Sequence, residues 1–302
     1  MARWRAALRV LAACCSLALP VAAPSAADVS TAAAPASAPA SAGEVAAHFA
    51  REVPRRLAVP PEAQARYLAL LQQALDGAGL TDLPPQHLLL VDRSPQVQML
   101  AVLLRAPDAA GAVTWHWIGA TPVSTGRVGS FDHFRTPLGV FAHTLANPDF
   151  RAEGTFNENG IRGYGVKGMR VFDFGWAQAE RGWGGGGLGQ MRLQMHATDP
   201  DKLEQRLGRV DSKGCVRIPA ALNQWLDRHA VLDADYLQAM ASGHPGKAAW
   251  VLRPDREPLP WPGRWLVIVD SATVTRPAWA LPPAPAGAPT LRQAALAGRG
   301  VC

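Results

Sequence analysis

The stretch "LLLVDRSPQVQMLAVLLR", residues 88–105, constrains the fold most: two apolar runs of strand length flank the turn-forming residues Asp92 to Pro95. A third run, "VTWHWIGA" at 113–120, has the β-branched and aromatic content of a strand. Short β-like runs rich in glycine, with few long helices between them, continue to Val274. The expected architecture over residues 85–274 is therefore mainly β with a few helices. A chain of 302 residues with 48% hydrophobic content suffices for one sizeable core. No internal repeat is visible.

Ahead of this domain the periodicity is helical. Residues 44–57 and 61–79 place apolar side chains three and four apart, as at Tyr67, Leu68, Leu71 and Leu75, and Pro60 and Pro61 separate the two stretches. A helical segment is thus expected over 44–82. Residues 28–43 read as an Ala/Pro/Ser linker, and 275–302 as a Pro/Ala-rich tail.

The first 27 residues carry Arg3, Arg5 and Arg9 before an apolar run from Val10 to Leu19, and Ser25 and Ala27 fit a cleavage site before Asp28. That is the pattern of a signal peptide, with a run too short to span a bilayer. Export to the periplasm or cell envelope is expected. "LAAC" at 11–14 also resembles a lipoprotein box, but only four residues separate Arg9 from Cys14. Without the signal, the formal charge falls from +6 to about +3. No block of like charges points to nucleic acid.

Cys14 and Cys15 leave with the signal, so Cys215 and Cys302 remain of the 4 cysteines. Cys302 ends the tail, and two cysteines make a poor disulfide framework for an exported protein. Cys215 is then a thiol kept for its chemistry. It sits in "VDSKGCVRIP" at 210–219, where Pro219 fits the first turn of a helix continued by Leu222, Trp225, Leu226 and His229. A helix N-terminus close to Cys215 favours thiolate over thiol. Gly214 lets the backbone approach a substrate, and the Gly214 and Cys215 amides are candidate oxyanion donors. In "MRLQMH" at 191–196, Met191, Leu193 and Met195 alternate with Arg192, Gln194 and His196, the period of a half-buried strand with His196 on its polar face.

Fifteen residues intervene between His196 and Ser212-Lys213-Gly214-Cys215-Val216-Arg217. This arrangement resembles the signature of the L,D-transpeptidase (YkuD-type) catalytic domain, a β-sandwich. "VSTG" at 123–126 and "TPLGVF" at 136–141 look like that family's other recurrent stretch, so the resemblance spans roughly 87–273. It implies a thioester acyl-enzyme on Cys215, with His196 as general base and acid and Gly214 offering an oxyanion amide. It also implies substrate contacts from Ser212, Lys213 and Arg217. Peptidoglycan tetrapeptide stems would be the donors, and the acceptor a neighbouring stem amine, a wall-attached protein amine or water. Two departures stand out: Ala197 replaces the glycine that usually follows the first histidine, and Lys213 replaces the motif's second histidine. Family members orient the first histidine through the carbonyl of the following residue, a role alanine can fill. Lys213 brings a donor and a charge but no neutral base.

Other classes fit less well. "GWGGGGLGQ" at 182–190 lacks the Lys-Ser or Lys-Thr of a phosphate loop and reads as a flap or as plain disorder. His116, His133 and His143 lack the spacing of zinc ligands, so no metal and no organic cofactor are expected. Papain-like peptidases place cysteine before histidine, the reverse of this order. A hydrolase on the same scaffold and an inactive wall-binding homologue with a buried, inert Cys215 stand as alternatives.

Overall fold

α1 (Ala42–Glu52) opens on a capping box: Ser41 Oγ accepts from the Glu44 amide, and the Glu44 carboxylate accepts from the Ser41 amide at 2.6 Å. The helix therefore begins inside the stretch expected as linker. It ends at Glu52 rather than 57 because Val53 precedes Pro54 and is extended. α2 (Pro61–Gly77) starts with Pro61 in its first turn, where the missing N–H costs nothing.

The computed structural model describes residues 41–246 and 248–280. The expected signal peptide, nearly all of the linker and residues 281–302 lie outside the described residues. The strands among them are β1 (Gln86–Asp92), β2 (Met99–Pro107), β3 (Val113–Pro122), β4 (Gly139–Ala142), β5 (Phe150–Arg151), β6 (Arg170–Glu180), β7 (Leu188–Ala197), β8 (Val216–Ile218) and β9 (Trp265–Val269). Three more helices follow β8: α3 (Ala220–Arg228), α4 (Ala234–Ala241) and α5 (Ala248–Val251). One sheet has the order β3-β2-β1-β9-β4 and the other β5-β6-β7-β8. The fold is mainly β with a few helices.

Period-two alternation sorts the core. Leu89, Val91, Leu100, Val102 and Leu104 point from β1 and β2 toward Phe172, Leu193, Met195 and Val216 of the second sheet. The intervening Leu88, Leu90, Met99, Ala101 and Leu103 point the other way, onto Tyr67, Leu71 and Leu75 of α2. The first sheet is thus buried on both faces, which explains why its strands read as unbroken apolar runs. The N-terminal helices belong to this core. Phe49 of α1 packs edge-on against Trp225 of α3 at 5.1 Å, and only glycine fits at 119, where a Cβ would stand 2.3 Å from the Phe49 ring. The first residues of the expected tail fold back as well, with Trp279 edge-on to Tyr67 at 6.2 Å.

A charged cluster is buried beside the second sheet. Arg170, fully buried at the start of β6, donates to Asp149 at 2.6 Å and to both oxygens of Asp233 at 2.7 Å. Asp149 also meets His143 Nε2 at 2.8 Å. These pairs tie the start of β6 to the residue ahead of β5 and to the cap of α4. The residue after Arg170, Val171, pairs with His196 of β7.

Because α2 covers one full face of the first sheet, Leu71→Ala should cost about 2–5 kcal/mol. Urea unfolding should show the midpoint falling at unchanged slope; a change within error would mean that α2 is not part of the core.

Candidate functional site

The site is assembled where the two sheets exchange chain. β8 runs parallel to β7, with His196 opposite Arg217 and Met195 opposite Val216. Val216 and Ile218 enter the inter-sheet core, so Cys215 and Arg217 project from the other face, the one that carries His196. On its free side β8 meets the chain leaving β3: Ser124 and Arg217 exchange backbone hydrogen bonds at 3.0 and 2.9 Å.

Three separated stretches then lock together. Thr136 Oγ1 accepts from the Gly126 amide at 2.8 Å and donates to the Gly214 carbonyl at 2.6 Å. Phe134 donates its amide to the Lys213 carbonyl at 2.8 Å, and the Ser212 amide donates to Thr125 O at 3.0 Å. The approach is tight enough that a Cβ at Gly126 would stand 1.9 Å from the Phe134 carbonyl and 3.0 Å from Gly214 Cα. Residues 123–126, 134–136 and 212–215 thus form one nested unit around the cysteine.

Cys215 and His196 are both inaccessible, at 0% exposure. Cys215 Sγ points toward the Arg192 carbonyl at 3.9 Å. His196 Nδ1 lies 2.8 Å from the Ala197 carbonyl, which only accepts, so Nδ1 carries the proton and Nε2 is a lone pair. Nε2 is buried and makes no hydrogen bond. Burial, reinforced by the positive charge of Arg217, pushes the His196 pKa down to about 3, with the Ala197 carbonyl opposing. At neutral pH the imidazole is an uncharged base. The Tyr164 ring meets it edge-on at 4.7 Å.

The other expected site residues take structural positions. Ser212 Oγ donates to Cys215 O at 2.6 Å and accepts from the Gly214 amide at 3.1 Å, so both groups serve the loop itself. The Gly214 N–H, expected as an oxyanion donor, is committed to Ser212. Gly214 has φ +143, and a Cβ there would strike Met191 at 2.8 Å, so the residue is required for the turn. Lys213 Nζ reaches the surface and pairs with Asp132 at 3.3 Å. Arg217 donates to the Asp211 carbonyl at 2.8 Å.

Two local expectations need correction. The helix dipole does not reach Cys215: β8 intervenes, Pro219 is the cap of α3 rather than part of its first turn, and the effect fades within one turn. Nor is β7 half-buried at His196. From Leu193 to Ala197 both faces are covered, the polar one by Tyr164, whose hydroxyl donates to Gln194 at 3.2 Å. The glycine-rich stretch forms the loop of the β6–β7 hairpin, closed by Arg181 N to Gly187 O at 2.8 Å. Trp183 within it packs on Phe134 at 4.8 Å.

Sequence reasoning assigned no role to Thr136 or to the polar row beside Cys215. In that row Asp173 accepts from Arg192 Nε at 2.9 Å and from Gln194 Nε2 at 3.0 Å. The alternation that exposed His196 also marks Arg192 and Gln194 as its neighbours on one face. Nothing local marks Thr136. His116, His133 and His143 do not converge: His133 bonds the Phe131 carbonyl, His116 the Ala106 carbonyl and His143 Asp149.

No protein-family model matches the chain, and no curated protein does. Among solved structures, it is similar to a crystal structure described as a fused Zn-dependent amidase/peptidase/peptidoglycan-binding domain-containing protein from Clostridium acetobutylicum ATCC 824. That match has 15% identity and a TM-score of 0.27, and it covers 71% of this chain and 64% of that one. The chain thus spans less than two thirds of that protein, and a likeness this loose carries no argument about activity.

Removing the Thr136 hydroxyl strands a buried N–H and a buried C=O. Thr136→Val should therefore cost at least about 1–3 kcal/mol in urea unfolding, while Thr136→Ser retains most of the stability. A second test follows from the neutral imidazole. The folded protein excludes a proton that the unfolded chain takes up near pH 6.5, so stability is full above that pH and is lost as pH falls toward 3. His87, buried and pushed down to about 4, acts in the same direction. His196→Asn should make the acid limb of a stability-versus-pH curve shallower; an unchanged slope would show that His196 is charged when folded.

Proposed function

We propose that the protein is a cysteine-dependent acyl transferase of L,D-transpeptidase type acting on peptidoglycan stem peptides. The reading rests on the resemblance of the three motifs, and one observation carries it: a buried, uncharged imidazole with an unpartnered Nε2 on the sheet face that bears Cys215. Burial of a thiol alone would suit an inert core cysteine. His87 is also buried with an unbonded Nε2, so what separates His196 is that its free lone pair shares a sheet face with a thiol.

His196 Nε2 takes the Cys215 proton as Sγ attacks the carbonyl of the third stem residue. The C–N bond to the terminal D-alanine breaks, and the imidazolium returns its proton to the leaving amine. In the second half, an acceptor amine attacks the thioester, His196 takes the amine proton, and Cys215 leaves as thiolate and is reprotonated. A stem amine as acceptor yields a 3-3 cross-link and a protein amine yields wall attachment. Water at the same step would make the protein a hydrolase. Ser212, Thr136 and Gly126 hold the nucleophile loop, and the β6–β7 loop, whose Trp183 packs on Phe134, must move for a substrate to reach Sγ.

Intact-mass spectrometry after incubation with a carbapenem, an acylating mimic of the stem, tests this directly. One adduct per chain on Cys215 is expected, absent in Cys215→Ala and formed about 100-fold or more slowly in His196→Ala. Folded protein that never acquires the adduct would sink the proposal in favour of an inactive homologue.

A further inference from the structure

Two hydrogen-bond acceptors face each other where α1 meets the C-terminal end of α3. His229 caps α3, and its Nδ1 lies 2.9 Å from the Glu257 carbonyl oxygen, so Nδ1 carries the proton. In the neutral ring Nε2 is then a lone pair, and it stands 3.2 Å from Glu52 Oε2. Something positive must lie between a lone pair and a carboxylate oxygen this close: a second proton on the ring, as in an ion pair, or a metal ion in that proton's place. A second imidazole completes the group: His48, one turn before Glu52 on α1, has Nε2 3.2 Å from Glu52 Oε1, and its ring centre is 4.6 Å from that of His229. One ligand atom from each of the three residues falls within 4.8 Å of the others.

We propose that His48, Glu52 and His229 form a binding site for a divalent transition metal, represented by Zn2+, that fastens α1 to α3. Two imidazoles and one carboxylate suit zinc-like ions rather than Mg2+ or Ca2+, which favour all-oxygen sets. The Glu257 carbonyl supplies the outer contact that fixes the tautomer and ring orientation of a histidine ligand. The Arg228 guanidinium, whose charge is felt at Glu52, is held by the Glu257 carboxylate at 2.7 Å. The Glu52 and His48 side chains are 38% and 26% exposed, so an ion can enter from solvent and keep water on its remaining positions. Coordination through His48 Nε2 moves that ring's proton to Nδ1 and gives up a 3.4 Å contact from Trp225 Nε1. The site is therefore weaker than a closed four-ligand one. It lies at the opposite end of α3 from the Cys215 loop and is structural, independent of the cysteine chemistry. It also departs from the metal-free expectation of the sequence, which could not bring residues 177 positions apart into contact.

Calorimetric titration of the full chain with ZnCl2, with thermal unfolding in parallel, tests the site. One Zn2+ per chain and a raised Tm are expected, with Mg2+ and Ca2+ giving neither. Glu52→Gln and His48→Ala, on the half-exposed side and not expected to disturb folding, should each weaken binding by about tenfold or more, as should His229→Gln. Absent binding, or binding unchanged in the Glu52 and His48 variants, would overturn the proposal. So would a sulfur-to-metal charge-transfer band with Co2+, which would place the ion on a cysteine.

Discussion

The Thr136 hydroxyl is the joint on which the cysteine loop depends. By accepting from Gly126 and donating to Gly214 it uses a single oxygen to satisfy one buried donor and one buried acceptor, 10 and 78 residues away in sequence. Around it the geometry leaves little freedom. Gly126 has no room for a Cβ, Gly214 needs a backbone conformation that other residues rarely adopt, and Ser212 consumes the Gly214 amide. The cysteine loop is braced from within, by groups whose hydrogen bonds are already committed.

Burial decides the electrostatics of the site. With His196 out of solvent and a guanidinium close by, the charged imidazole is disfavoured and the ring stays neutral. The opposite solution occurs one strand end away. There Arg170 is buried as a charge and is matched by Asp149 and Asp233, with His143 held in the charged direction by Asp149. Such a cluster adds little net stability over an apolar one, but loss of any partner leaves a buried charge, so it holds β5 and β6 firmly beneath the strand that carries His196.

Much of the fold was legible in local pattern. The two runs at 88–105 became paired strands, and Tyr67, Leu71 and Leu75 became a buried helix stripe, because period and turn chemistry act over a few residues. Errors arose where a neighbour distant in sequence intervened. The polar face of β7 read as exposed because Tyr164, which covers it, lies 30 residues upstream of Gln194. The expected helix dipole at Cys215 failed because the three residues between Cys215 and the cap of α3 pair with β7 as a strand.

The sequence by itself determined the mainly β architecture and the helical stripe of α2 and singled out His196 and Cys215 as candidate site residues, since residue type and short-range periodicity carry that information. Only the tertiary structure decided that both residues are buried, that Ser212 and Gly214 serve the loop, that Thr136 joins it to Gly126, and that His48 and Glu52 meet His229. Those outcomes rest on hydrogen bonds and close approaches between segments 10 to 177 residues apart, whose partners are set by how the two sheets and the helices pack, and no local pattern encodes them.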